Sequence, residues 1–127
     1  MLSSMALKGP YLKSMANQMT FPALLKEVKK LKFTELRTDA EKELEFVVKV
    51  SQLPVVSSTL ENFFGPALKP TGQAPSKEVE TLSAPYGGVW DNQTLYYFKD
   101  GNASFFAMYW PWGDKTSVTV KIFENPA

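Results

Sequence analysis

Residues 94–110 read TLYYFKDGNASFFAMYW and carry the strongest local signal in this 127-residue chain. Two runs of aromatic and apolar residues flank Asp100-Gly101, a dipeptide that is typical of tight β-hairpin turns. The stretch therefore predicts two antiparallel strands joined by a short turn. A two-residue turn at Asp100-Gly101 would pair Phe98 with Ala103 across the hairpin, and the other pairs follow from that register.

Both faces of the predicted hairpin are rich in aromatic residues, which is unusual for a sheet with one solvated face. The first face carries Thr94, Tyr96, Phe98, Ala103, Phe105, Ala107 and Tyr109. The second face carries Leu95, Tyr97, Ser104, Phe106, Met108 and Trp110. Two interpretations stay open. Either helices and loops cover both faces so that every ring is core, or one face presents its rings to a ligand or partner.

The rest of the C-terminal half also has strand character, whereas the N-terminal half has helix character. Residues 117–123, SVTVKIF, alternate between apolar and polar side chains and predict a half-buried strand. Near the N-terminus, Thr20 is a good helix cap, Pro22 suits a first turn, and the apolar residues that follow share one helical face. Residues 57–64 predict a short second helix, which Gly65 is expected to end.

Residues 39–50 are ambiguous. Their apolar spacing and a capping-box match at Thr38 predict a helix, although the β-branched run LEFVVKV also suits a strand. With that helix, the elements predict an α+β fold, with N-terminal helices packed on a C-terminal antiparallel β-sheet meander of about three or four strands. Residues 20–127 are expected to form this single domain. Residues 1–19 hold four of the five methionines and are expected to form a flexible or docking leader.

The composition excludes several classes of active site. The chain has no cysteine and no histidine, which removes disulfides, thiolate nucleophiles, imidazole catalysis and nearly all zinc, iron or copper sites. It also lacks a phosphate-binding loop, a nucleophile elbow and an EF-hand loop. We therefore expect no cofactor, no bound metal and no catalytic residues, and we favour a protein that is not an enzyme.

The charge and hydropathy of the chain limit the classes of partner that it can have. A net charge of +1 provides no global field that would attract nucleic acid. No apolar run approaches the roughly 20 residues that a membrane span needs. We expect no nucleic-acid partner, no membrane partner and a cytoplasmic location.

The aromatic surplus defines the candidate site. Trp110 and Trp112 flank Pro111, and Trp90 follows closely after Tyr86, so these rings are expected to meet at one end of the sheet. Because Tyr and Trp are enriched at binding hot spots, the pattern indicates a non-catalytic protein-interaction module, including self-association as a homodimer. The alternative is a small-ligand-binding domain with an aromatic-lined pocket between sheet and helices. The predicted site residues are Tyr86, Trp90, Tyr109, Trp110 and Trp112.

Overall fold

The computed structural model describes residues 19–126, which form three helices and five strands. In chain order they are α1 (Phe21–Val28), β1 (Glu35–Ala40), β2 (Glu43–Lys49), α2 (Leu53–Phe64), α3 (Lys77–Ser83), β3 (Thr94–Asp100), β4 (Ala103–Pro111) and β5 (Ser117–Pro126). Short 3₁₀ turns at Val50–Gln52 and Ala84–Tyr86 adjoin α2 and α3. The predicted α+β class is confirmed. The leader predicted over residues 1–19 lies outside the described residues, except for Met19, which packs against the core.

The sheet has the strand order β1-β2-β5-β4-β3, and every neighbouring pair is antiparallel. β3, β4 and β5 form the predicted C-terminal meander, and β5 then pairs with β2 along the whole of that strand. The predicted count of three or four strands is wrong, because residues 35–49 add a second hairpin and bring the count to five.

The helix predicted over residues 39–50 is also wrong. This segment forms the end of β1, a two-residue turn at 41–42, and β2. Leu44, Phe46 and Val48 alternate along β2 and are fully buried. β2 has a paired strand on each side, so its β-branched and aromatic residues pack against neighbours on a pleated surface, which suits them better than a helix does. Tertiary pairing therefore overrides the helical spacing.

The β3–β4 hairpin has the predicted faces but a different register. Its turn residues are Gly101 and Asn102, so Phe98 pairs with Phe105 rather than with Ala103. A shift of two residues leaves every side chain on its predicted face, because side chains alternate with a period of two. Gly101 has a φ of 64°, whereas Asn102 does not have a positive φ, so the turn follows the type II′ pattern rather than type I′.

α1 and α2 cover one face of the sheet, which we call the helix face. Thr20 caps α1 as predicted, and its Oγ1 accepts a hydrogen bond of 3.2 Å from the Ala23 N–H. α2 begins at Leu53, earlier than predicted, because Pro54 suits its first turn and extends it towards β2. Gly65, with a φ of 75°, ends α2 as expected.

The β3–β4 half of the opposite face of the sheet, which we call the second face, is covered by other elements of the chain. α3 and the loop after it seal this half, so most of the aromatic surplus on this face is core. The cluster joins Val79, Val89, Leu95, Phe106, Met108 and Phe123. Around β1 and β2 this face carries ion pairs between partly exposed side chains, namely Arg37 with Glu35 and Glu45, and Lys121 of β5 with Glu43.

Replacing Gly101 with alanine should destabilise the fold by about 1–2 kcal/mol, because a Cβ is strained at positive φ. No neighbouring atom lies within 4 Å of the added Cβ, so backbone strain alone sets the effect. Gly113→Ala is the matched control, since Gly113 is equally open but lacks a positive φ. Urea unfolding of both variants measures the difference, and equal midpoints would contradict the turn assignment.

Candidate functional site

The five predicted site residues do not form one cluster. Trp90 and Trp112 are 70% and 38% exposed at the same end of the sheet. Tyr86 and Trp110 are half-buried against the second-face cluster. Tyr109 is buried on the helix face, away from the other four. Among the predicted residues, two tryptophans are thus left open to solvent.

Tyr86 and Trp110 act mainly as a cover for the core. The Tyr86 ring centroid lies 4.9 Å from that of Phe106 and 4.8 Å from that of Phe123. Its hydroxyl accepts a hydrogen bond of 2.7 Å from the Asn125 side-chain amide. Both the ring and the polar end of Tyr86 are therefore engaged within the chain.

Trp112 is held in place by the turn between β4 and β5. Its backbone N–H donates to the Ser117 carbonyl at 2.9 Å, and its indole Nε1 donates to Thr119 Oγ1 at 2.8 Å. The Arg37 guanidinium lies 5.7 Å from the ring centroid, within the range of a cation–π contact. Trp112 is thus partly exposed and yet fixed in orientation.

The turn that positions Trp112 depends on Asp114. Its Oδ1 accepts hydrogen bonds from the Thr116 N–H at 2.9 Å and from the Ser117 N–H at 3.1 Å. These bonds, first of all the one from Thr116, lower the pKa of Asp114 below its usual value. Lys115 completes the turn with a φ of 63°, in the left-handed region.

Trp90 lies in the loop that leads into β3. Its N–H donates to Gln93 Oε1 at 2.8 Å, and the Gln93 N–H donates back to the Trp90 carbonyl at 3.0 Å. The backbone is therefore fixed while the ring extends into solvent. Asn92, at the tip of this turn, lines the depression beside Trp90 and also the groove beside Trp112.

The two exposed tryptophans and their apolar neighbours form a surface that we call the tryptophan rim. It lies where β2 and β4 end and β3 and β5 begin. Its groove has a volume of about 460 Å³. The rim consists of Val50, Trp90, Asn92, Pro111 and Trp112.

Lys69 anchors the loops behind the rim, and sequence reasoning missed it. This side chain is 2% exposed, and its ammonium donates to the carbonyls of Pro70, Asp91 and Gln93 at 3.0, 2.8 and 2.5 Å. Burial lowers the pKa of Lys69, and the nearby Asp91 carboxylate opposes that shift. Its backbone also pairs with Leu95 on β3. The only signal in the sequence is a lone lysine within a loop rich in proline and glycine.

A second concave region, which we call the hydroxyl cleft, lies between α2 and the helix face of the sheet. It has a volume of about 390 Å³. Tyr109 hydrogen-bonds to Ser57 across it at 2.8 Å between the two hydroxyl oxygens, and the hydroxyls of Thr71 and Thr94 also bond to each other. Burial raises the pKa of Tyr109, and the neighbouring Tyr96 raises it further. This phenol therefore stays neutral.

Comparison with known proteins gives no match: no family model, no curated protein and no solved structure is significantly similar to this chain. Within residues 19–126, no group of acidic side chains is arranged to hold a metal ion. None of the helices in the same part of the chain is long and apolar enough to cross a membrane. Any assignment of function therefore rests on the geometry of the two concave regions.

Changing Lys69 to methionine should destabilise the fold by about 2 kcal/mol, because it leaves three carbonyls without their shared donor. Lys77→Met is the control, since Lys77 is exposed at the start of α3. Urea unfolding compares the two variants. Hydrogen exchange should also be faster at the amides of Leu68 and Gly72, which bond to the carbonyls of Leu95 and Asp91, in Lys69→Met only. If Lys69→Met were as stable as Lys77→Met, the anchoring role of Lys69 would be contradicted.

Asp114 should make stability depend on pH. Its pKa is lowered in the folded state, so its contribution is present above its ordinary pKa and is lost as the pH falls through the lowered value. The stability difference between the parent chain and Asp114→Ala, measured by urea unfolding, should therefore shrink in acid. Asp114→Asn retains an accepting oxygen that does not titrate. Any stability that it has in excess of Asp114→Ala should therefore persist in acid. If the parent chain exceeded Asp114→Ala in stability by the same amount in acid as at neutral pH, the role assigned to the Asp114 carboxylate would be disproved.

Proposed function

We propose that this protein is a non-catalytic interaction module that binds a protein partner through the tryptophan rim. One observation carries the proposal. Trp90 and Trp112 are both exposed at one end of the sheet, where Asn92 lines both the groove beside Trp112 and the depression beside Trp90, whereas most other rings of the described chain are packed in its two apolar clusters. Exposed tryptophans at a concave surface are a feature of binding hot spots.

The energetics favour a partner over solvent. Covering a tryptophan as exposed as Trp90 removes roughly 150 Å² of apolar surface from water, which contributes about 4 kcal/mol before the costs of association. The rim also loses little freedom on binding. Its backbone is held by the Trp90–Gln93 turn and by the Asp114 turn, and a fixed surface avoids much of the entropic cost of ordering.

The groove indicates the kind of contact. Its only charged lining residue is Lys115, and its largest lining groups are Trp112, Pro111 and Val50. A volume of about 460 Å³ holds a few side chains rather than a whole domain face. We therefore infer an apolar segment of a partner protein as the occupant, and a second copy of this chain is one outcome of the test.

The test begins with a photoreactive amino acid in place of Asn92, which lies within the rim, and in a separate protein in place of Asn62. Asn62 is exposed on α2 and serves as the control position. Irradiation in native extract should give a distinct adduct from the Asn92 position only. Sedimentation of the purified chain shows independently whether the partner is a second copy.

The partner found in this way is then purified, and its affinity is measured for Trp90→Ala and Trp112→Ala. Each change should weaken binding by about 10-fold to 30-fold, as for hot-spot residues. Trp90→Ala is the cleaner variant, because its indole makes no described contact that the fold needs. Leu36→Ala, at an exposed position on β1, is the control and should bind normally. Equal adducts at both positions, or an unchanged affinity of Trp90→Ala for the partner, would refute the proposal that the rim is the binding surface.

A further inference from the structure

We infer that the hydroxyl cleft is a binding site for a small organic cation, namely a compound with one ammonium group on a compact carbon skeleton. This site is separate from the rim, and the inference does not rest on rim binding. Three walls form the cleft: one stripe of α2, the loop that follows α2, and the helix face of β3 and β4. The lining residues are Leu53, Ser57, Glu61, Pro66, Ala67, Pro70, Thr71, Thr94, Tyr96 and Tyr109.

The charge of the lining selects a cation. Glu61 is the only charged residue among the lining residues, and it lies on the same stripe of α2 as Ser57. Lys69, which belongs to the loop after α2, directs its ammonium to three backbone carbonyls and does not line the cleft. An anionic ligand would therefore meet a carboxylate with no compensating cation, whereas an ammonium group would gain a charge-assisted hydrogen bond.

The hydroxyl groups supply further acceptors for an ammonium. Ser57 bonds to Tyr109, and Thr71 bonds to Thr94, so each pair uses one of its two protons internally. Ser57 and Thr71 are the more exposed members of the two pairs, and each of their oxygens has two lone pairs. Tyr109 is held in its neutral form, and its phenol oxygen remains an acceptor. An ammonium group can thus find its three acceptors among Glu61 and these hydroxyls.

The remaining lining suits the carbon skeleton of such a ligand. The rings of Tyr96 and Tyr109, with centroids 5.8 Å apart, line the cleft from the sheet side. Leu53 and two prolines of the loop provide apolar contact. A volume of about 390 Å³ fits a single small molecule, and it lies at the lower end of known ligand pockets.

The experiment compares three probes of nearly equal size: phenethylamine, phenethyl alcohol and phenylacetate. They are titrated into the full chain at neutral pH, and binding is followed by amide chemical shifts. Phenethylamine should bind saturably, with shifts at Ser57 and Thr94, and at least about 10-fold more tightly than phenylacetate. The alcohol should lie between them. Absence of saturable binding by the amine, or equal binding by phenylacetate, would overturn the inference.

Three variants test whether the binding is specific to the cleft. Glu61→Gln keeps the shape of the exposed side chain and removes its charge, so phenethylamine should bind about 10-fold more weakly. Glu80→Gln, on the exposed side of α3, is the matched control and should bind as the parent does. Trp90→Ala should also leave phenethylamine binding unchanged, which separates this site from the rim. Loss of binding in Glu80→Gln to the same extent would disprove the assignment.

Discussion

The pairing of β2 with β5 is the contact on which the rest of the structure depends. It joins a hairpin from the N-terminal half to a meander from the C-terminal half, and seven residue pairs run along it from Glu43↔Phe123 to Lys49↔Ser117. On the helix face, Phe46 lies opposite Val120, and both are fully buried. α1 and α2 pack on this apolar strip, since neither helix alone can bury its apolar stripe. The pairing joins the two halves into one sheet, on which α1 and α2 form a core with residues of both halves.

The same pairing sets the place of both concave regions. Because β2 ends beside the start of β5, the chain passes directly from the sheet into the 3₁₀ turn and α2. This puts Val50 next to Trp112 in the rim, and it lays α2 across β3 and β4 to form the hydroxyl cleft. The buried ammonium of Lys69 then holds the Trp90–Gln93 turn against the start of β3. One end of the sheet thus receives three loops that are far apart in the sequence.

The rim and the hydroxyl cleft are chemically distinct but adjoin each other. Thr71 lines both, and its hydroxyl bonds to Thr94 on β3. The groove of the rim has indole and proline surfaces and a lysine as its charged residue, whereas the cleft has a carboxylate as its charged residue. A protein segment suits the first surface and a small ammonium compound suits the second. Their shared wall is a loop that the ammonium of Lys69 holds through three backbone carbonyls.

Local patterns by themselves determined the helix after Thr20, the strands on either side of Gly101, the two aromatic faces of that hairpin, and the α+β class. These features depend on capping, turn chemistry and side-chain alternation, which act over a few residues. Only the tertiary structure decided that residues 39–50 form part of a β-hairpin instead of a helix. The β-branched residues of β2 are stabilised more by packing between β1 and β5 than they would be in a helix. The tertiary structure also decided which rings stay exposed: α3 and its loop seal Phe106 and Phe123, and Tyr109 turns to Ser57, while Trp90 and Trp112 remain open. Burial depends on contacts between distant segments, and no local pattern contains that information.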